Sequence, residues 1–306
     1  MRRHEKEVGT VGDVELDRHG AILVVRFARE ASHNAISGSL LAELADAFDL
    51  AARDESVHVV VTTGNGKAFS VGADLPEMLS HLDLPVHRIL NGPEVGGDRG
   101  YGVLTDGQAR IEDLGVGRFA QRLLALEKPT IAALNGSAAG GGLAIALLHD
   151  YRIAAERARL SASWSKVGVA PEMGASYILP RLMGYRAAFD FVLRSRVLSA
   201  AEALDIGLVD RVVPTENVLD AALELAEELA ALPTLAAQMT KRIMRGSGTA
   251  SLEQTLKEEY RALSILFASP HVKETMATLY ETVRMASQRG APPPSSDPSG
   301  TAGQQA

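Results

Sequence analysis

Hydrophobic and polar positions along the first half of the chain follow two alternating patterns. Short apolar runs predict buried strands at 21–27, 58–63, 129–134 and 151–155. Apolar positions three and four residues apart predict helices at 38–52, 118–126 and 141–148. Because strands that alternate with helices are typical of parallel sheets, we predict an α/β core that opens with a βαβ unit.

The second half of the chain has an almost purely helical pattern. It predicts helices at 174–182, 185–194, 199–206, 215–231, 234–244, 251–268 and 270–287. Residues 83–117 are rich in glycine and lack periodicity, which predicts a long loop, either a mobile lid or an ordered pocket wall. The Pro-, Ser- and Gly-rich end predicts a disordered tail. We therefore expect a core at 1–200, a helical region at 201–287 and a tail at 288–306.

Composition excludes several kinds of protein. The 306 residues contain no cysteine, which removes disulfides, thiolate zinc sites and cysteine nucleophiles. The formal net charge of −7 argues against a chain-wide surface for nucleic acid, although an anionic ligand could meet a local basic cluster. The eight histidines lack metal-ligand spacing, so we expect no metal site.

One uncharged run, at 129–148, is long enough to raise the question of a membrane span. It contains a proline, an asparagine and four glycines, so it reads better as a strand, a turn and the start of a helix. The N-terminus has no apolar segment typical of a secretory signal. We therefore expect a cytoplasmic protein with no membrane partner.

Two segments that follow predicted strands are unusually rich in small residues. They read TGNGKAFSVGADL at 63–75 and NGSAAGGGLA at 135–144. Glycine allows close approach of the backbone, so free N–H groups of two facing turns could form an oxyanion hole. Each segment taken alone could equally be a tight turn with small residues for packing.

The motifs carry a resemblance to a known family. HNAIS (33–37), GKAFSVGADLPEM (66–78), EKPTIAALNGSAAGGGLAIAL (127–147) and AAEALDIGLVDRVVP (200–214) resemble the crotonase, or enoyl-CoA hydratase/isomerase, family. The resemblance implies a spiral of ββα turns with a C-terminal helical region that supports a homotrimer or a dimer of trimers. It also implies an acyl-CoA thioester substrate, with coenzyme A as part of the substrate and no separate cofactor.

The resemblance also implies site residues. The amides of Ala73 and Gly141 would donate to the thioester oxygen and stabilise an enolate. The residues implied near the substrate are Ala35, Lys67, Ala68, Ser70, Gly72, Asp74, Leu75 and Gly140. Lys67 could equally be a solvated surface lysine.

The sequence departs from the hydratase pattern at both carboxylates that the family uses to hydrate a double bond. Ala144 stands at the first position and Trp164 at the second, so ordinary hydratase activity is not expected. Glu172, eight residues after Trp164, stands where several isomerases of the family carry their catalytic carboxylate. Its apolar neighbours Val169, Ala170 and Met173 would raise its pKa by burial. We therefore predict an enoyl-CoA isomerase that uses Glu172.

Alternatives remain for these positions. The spacing of Trp164 and Glu172 is similar to that of the Trp and the Asp nucleophile in 4-chlorobenzoyl-CoA dehalogenases, although the nucleophile here is Glu and no His stands near Gly117. Trp164 could instead be only a core aromatic, or its ring could line the acyl pocket. Glu172 could be a carboxylate favoured near a helix N-terminus. The loss of both hydratase glutamates also fits an acyl-CoA binder without catalysis.

Overall fold

The computed structural model describes residues 9–82 and 115–288. The strands in these ranges are β1 (Gly9–Val11), β2 (Val14–His19), β3 (Ile22–Phe27), β4 (Val59–Gly64), β5 (Ala68–Ser70), β6 (Thr130–Leu134), β7 (Ser137–Ala139), β8 (Tyr151–Ala155), β9 (Arg159–Ser161), β10 (Val197–Ser199) and β11 (Arg211–Val213). The helices are α1 (Gly38–Arg53), α2 (Leu75–Leu82), α3 (Gly115–Ala125), α4 (Gly141–Leu147), α5 (Ala175–Met183), α6 (Tyr185–Leu193), α7 (Ala200–Asp205), α8 (Val218–Ala230), α9 (Thr234–Ser247), α10 (Leu252–Ala268) and α11 (Pro270–Gln288).

The strands form two sheets. The larger has the order β1-β2-β3-β4-β6-β8-β11; it is antiparallel from β1 to β3 and parallel from β3 to β11. The smaller has the order β10-β9-β7-β5, in which only the β10 and β9 pair is antiparallel. The α/β class expected from the sequence is confirmed, as is the βαβ unit of β3, α1 and β4.

Burial explains why the central strands are continuous apolar runs. Every residue of β4 and β6 is buried, as expected for parallel strands that are covered on both faces. Helix α8 packs across β3, β4, β6 and β8, and α1 packs against β2, β3 and α3. On α1 the buried Leu40, Leu44, Phe48 and Ala51 recur at helical spacing. Each large side chain among them contributes about 1.5–3 kcal/mol by leaving water.

The sequence missed the shorter elements. The long apolar runs correspond to β3, β4, β6 and β8, but the three-residue strands of the smaller sheet were not predicted, nor was α2. The two glycine-rich segments therefore do not turn directly after β4 and β6. Each first adds a short strand, β5 or β7, to the second sheet, and the turns follow those strands. This correction matters because β5 and β7 position the candidate site.

The chain divides into two compact units, Met1–Lys241 and Arg242–Ala306. In the second unit α10 contacts α11, and α10 exposes the apolar side chains of Leu252, Leu256, Tyr260 and Phe267. The predicted trimer and the predicted domain boundaries stay predictions. The loop at 83–117 and the tail at 288–306 lie outside the described residues, except that 115–117 and Gln288 belong to helices. No helix in the described ranges is long and apolar enough to cross a membrane.

Candidate active site

Two glycine turns leave the same edge of the smaller sheet. Strands β5 and β7 pair in parallel, with Ala68 opposite Ser137 and Ser70 opposite Ala138. The carboxyl ends of parallel strands lie at one edge of their sheet, so the segments after Ser70 and Ala139 emerge side by side. The sequence expectation that the two turns meet is therefore realised through these two short strands.

The turns approach so closely that two positions require glycine. Gly72 has a φ of +91°, and a Cβ added there would lie 2.7 Å from the carbonyl oxygen of Ala139 and 3.5 Å from the nitrogen of Gly141. A Cβ added at Gly142 would overlap the carbonyl oxygen of Ser70. The nitrogen of Gly141 is thus held beside Gly72, the residue that precedes Ala73.

The amides of Ala73 and Gly141 are available to a ligand. The Ile36 N–H donates to the Gly72 carbonyl oxygen at 2.8 Å, and the Asp74 N–H donates to the Ile36 carbonyl oxygen at 2.9 Å. These two bonds flank Ala73 and leave its own N–H without an acceptor in the described part of the chain. The N–H of Gly141, at the first position of α4, also has no acceptor there. Two free donors on adjoining turns have the character of an oxyanion hole.

Glu172 is held by an irregular turn just before α5. The N–H of Ala175 donates to the Glu172 carbonyl oxygen at 2.9 Å. Met173 has a φ of +49° and Gly174 a φ of +81°, so the chain passes through two left-handed residues before the helix begins. A left-handed non-glycine residue costs about 1 kcal/mol and is most common where function constrains the backbone.

The Glu172 carboxyl group faces Gly141. A methyl group added at Gly141 would lie 3.4 Å from Glu172 Oε1, 3.0 Å from Ile36 Cδ1 and 3.1 Å from Met173 Cε. The space above one predicted oxyanion donor is therefore bounded by two apolar side chains and one carboxyl group.

Burial sets the protonation of this carboxyl group. Loss of hydration raises the pKa of Glu172 above its usual range. The nearby Trp164 indole N–H favours the ionised form and opposes part of the rise in pKa. Trp164 is only 2% exposed, and its Nε1 does not meet hydrogen-bond geometry with any group in the described ranges. The indole is therefore a weak opposing influence, and the net pKa shift is upward.

Comparison with known proteins identifies the family. Residues 17–86 and 104–287 match the family model described as enoyl-CoA hydratase/isomerase. The chain belongs to the enoyl-CoA hydratase/isomerase family.

Relatives within this family carry several activities in their names. The chain is 31% identical to 4-chlorobenzoyl coenzyme A dehalogenase-1 of Arthrobacter sp., over 86% of this chain and 89% of the relative. It is 32% identical to 2,3-dehydroadipyl-CoA hydratase of Escherichia coli, over 85% and 92%. A solved structure of a monofunctional enoyl CoA isomerase from M. smegmatis aligns with a TM-score of 0.63 at 31% identity, over 80% of this chain and 98% of the other. Family membership thus supports an acyl-CoA substrate and leaves the reaction open.

The two positions at which family hydratases carry glutamate hold apolar side chains that belong to the core. Ala144, in α4, has no exposed surface. Trp164 is nearly as buried and lies just after β9, beside Glu172. Neither side chain carries a carboxyl group that could activate water. The Glu172 carboxyl group, in contrast, is placed against Gly141.

The residues predicted to contact the CoA part of the substrate are unequally exposed. The buried ones are Ala35, Ala68, Ser70, Gly72 and Gly140. Asp74 is partly exposed, whereas Lys67 and Leu75 lie in the solvent. All of them except Ala35, Lys67 and Gly140 belong to the segment that runs from β5 into α2. Their roles stay predictions, and the described ranges contain no cluster of acidic and histidine side chains that could hold a metal ion.

Sequence reasoning overlooked part of the site and misjudged the burial of Glu172. Val169 is 44% exposed and Ala170 is also exposed, so neither supplies the expected apolar cover. The buried apolar side chains that share the space at Gly141 with the carboxyl group are Met173, as expected, and Ile36, which was missed although it lies in the HNAIS motif.

Proposed function

We propose that the chain is an acyl-CoA double-bond isomerase in which Glu172 moves a proton along a thioester enolate. The observation that carries the proposal is the Glu172 carboxyl group against Gly141, at a site whose two hydratase positions are Ala144 and Trp164. Because neither hydratase position holds a carboxyl group that could activate water, proton transfer within the substrate is the reaction that the site supports best.

The reaction starts from a 3-enoyl thioester. Its carbonyl oxygen accepts hydrogen bonds from the N–H groups of Ala73 and Gly141. The Glu172 carboxylate removes a proton from C2, and the electrons of the C–H bond spread over a dienolate whose oxygen the two amides stabilise. The protonated Glu172 then returns the proton to C4 while the carbonyl re-forms, which leaves the double bond between C2 and C3. No water or cofactor is consumed. Loss of one such donor typically costs about 2.7–4 kcal/mol of transition-state stabilisation.

The electrostatics of Glu172 suit this role. A group that first accepts and later returns a proton works best when its pKa lies near the operating pH. Burial raises the pKa of Glu172 in that direction. The same burial would disfavour a carboxylate that must stay ionised throughout the reaction, because burial favours the protonated form.

The test is turnover of trans-3-hexenoyl-CoA by wild type and by Glu172→Gln, followed by the ultraviolet absorbance of the conjugated product. We expect the variant to lose about 10²–10⁴-fold in kcat, because the amide cannot accept the proton. Glu224→Gln is the matched control, since Glu224 is 67% exposed and forms only a 3.8 Å ion pair with Arg211. Equal rates for wild type and Glu172→Gln would overturn the proposal.

A second candidate function is dehalogenation of an aryl-CoA thioester. It is favoured by the buried Trp164 indole beside the Glu172 carboxyl group and by the names of two relatives, both 4-chlorobenzoyl coenzyme A dehalogenases. In that reaction the carboxylate would attack the ring carbon that bears chlorine, chloride would leave, and water would hydrolyse the resulting ester. Chloride release from 4-chlorobenzoyl-CoA, lost in Glu172→Gln, would establish this function in place of isomerisation.

The same experiment tests the acyl-CoA binder without catalysis. Binding of butanoyl-CoA, with no turnover of 2-enoyl, 3-enoyl or 4-chlorobenzoyl thioesters, would support that function. Hydration of a 2-enoyl thioester that is lost in Glu172→Gln would instead show that Glu172 takes part in activating water.

A further inference from the structure

Arg29 connects the two backbone segments that flank the Ala73 amide. Its Nη2 donates to Asp74 Oδ2 at 2.8 Å, and its Nη1 donates to the Ala35 carbonyl oxygen at 3.2 Å. Its Nε lies 3.7 Å from Asp13 Oδ1, and the Arg29 side chain is 21% exposed. One planar guanidinium group therefore spans residues 35 and 74 in a fixed geometry.

Those two segments determine where the Ala73 N–H points. Ile36, which follows Ala35, holds the carbonyl of Gly72 and the N–H of Asp74 through its own backbone groups. Ala73 lies between the two residues that form these hydrogen bonds, and its own N–H remains available to the substrate. A shift of Asp74 relative to Ala35 would rotate the Ala73 peptide without breaking any helix or strand.

The backbone of Arg29 is also held by hydrogen bonds, at both its N–H and its carbonyl oxygen. Its N–H donates to Asn34 Oδ1 at 3.1 Å, and the Asn34 N–H donates back to the Arg29 carbonyl oxygen at 2.9 Å. Asn34 is fully buried, has a φ of +57°, and donates through Nδ2 to the carbonyl oxygens of Asn65 and Ala68. The guanidinium group therefore extends from a fixed turn that is tied to the start of β5.

Stability and catalysis should respond differently to the loss of Arg29. The Arg29 and Asp74 side chains are only 21% and 15% exposed, so the loss of their ion pair should lower Tm. An oxyanion donor depends steeply on its position as well, because a shift of about 1 Å can cost roughly 10²-fold in rate. A loss of kcat in the folded variant therefore distinguishes the aiming of the Ala73 amide from a stabilising role alone.

We propose that Arg29 is a positioning residue that holds the Ala73 N–H towards the thioester oxygen. The proposal rests on the proposed function only in taking Ala73 and Gly141 as the two donors. It does not depend on whether the bound thioester is isomerised, dehalogenated or left unchanged.

The test compares Arg29→Gln, Arg29→Lys and the control Arg18→Gln. Arg18 is a close match, because its side chain is also 21% exposed and it binds Asp54, Ser56 and the Gly20 carbonyl oxygen away from the site. We expect Arg29→Gln to lower kcat by about 10- to 100-fold. Arg29→Lys should recover part of the loss, and Arg18→Gln should keep the wild-type kcat.

A spectroscopic measurement makes the test independent of turnover. Hydrogen bonds to a thioester carbonyl lower its stretching frequency, so butanoyl-CoA bound to wild type should show a lowered infrared band. In Arg29→Gln the band should return towards that of free butanoyl-CoA, and in Arg18→Gln it should not move. A lowered band retained in Arg29→Gln would overturn the role of Arg29 alone. No lowered band in wild type would overturn the two donors, and with them both this proposal and the proposed function.

Discussion

Replacing Gly141 by alanine tests the candidate site with a single methyl group. The added methyl would lie 3.0 Å from Ile36 Cδ1, 3.1 Å from Met173 Cε and 3.4 Å from Glu172 Oε1. It would therefore occupy the space between a predicted oxyanion donor and the predicted proton acceptor. We expect the Gly141→Ala variant to fold normally and to lose most of its activity.

The expected change in stability depends on the atoms that the added methyl group contacts. Its two closest contacts are the ends of flexible side chains, which can move by a few tenths of an ångström. Gly141 is also not among the glycines with positive φ. Replacing glycine by alanine at a compatible backbone position stabilises by about 0.4–1 kcal/mol, and mild overpacking can cancel that gain. The Tm should therefore change by only a few degrees.

Catalysis should respond far more strongly than stability. A thioester oxygen needs to come within about 3 Å of the Gly141 nitrogen, and the methyl excludes the acyl carbons that must follow it. Loss of one oxyanion donor costs about 10²–10³-fold in kcat. The assay is kcat/KM with trans-3-hexenoyl-CoA, together with a thermal melt of each variant.

Gly246→Ala provides the matched control. Gly246 lies inside α9, and a methyl added there meets nothing within 4 Å. It should match or exceed wild type in Tm and keep full activity. A Gly141→Ala variant with a kcat/KM equal to that of Gly246→Ala would refute the placement of the acyl group over Gly141.

Three further predictions concern the two buried groups, Glu172 and His149, whose pKa is shifted by burial. The kcat/KM of the isomerase should fall as pH drops through the raised pKa of Glu172, because the free enzyme needs the carboxylate; a flat pH profile would contradict this. Trp164→Phe should move that fall to higher pH, because the indole N–H no longer opposes the rise in pKa. Burial lowers the pKa of His149 to about 3, so only the unfolded chain gains a proton below about pH 6.5. Stability from His149 is therefore complete above that pH and falls by about 1.4 kcal/mol from pH 7.5 to 5.5, measurable as the urea-denaturation difference between wild type and His149→Gln.

The sequence predicted elements in proportion to their length. The continuous apolar runs of β4 and β6 and the periodic faces of α1 and α8 each contain enough positions to define a period. Strands β5 and β7 contain three residues each, which is too few for any period to be recognised. They exist because each pairs with a partner distant in sequence, and that pairing depends on the assembled fold.

In the site, too, the residues within sequence motifs could be predicted, whereas those brought together only by the fold could not. Ala73, Gly141 and Glu172 could be named in advance because the motifs in which they lie resemble those of a known family. Arg29 lies about 45 residues before Asp74, its ion-pair partner, and the two side chains meet only in the folded chain. Contacts of this kind have no local pattern, so sequence reasoning alone does not reach them.

The opposing influences on Glu172 bear on which reaction the site favours. A nucleophile must stay ionised, so it benefits from a nearby donor such as the Trp164 indole and is weakened by burial. A proton carrier benefits from burial, because burial brings the pKa of the carboxyl group towards the operating pH. Here burial is the larger influence and the indole, without hydrogen-bond geometry, the smaller one. This balance supports proton transfer over attack on carbon, and it predicts that a closer contact between Trp164 and Glu172 would shift the site towards a nucleophilic role.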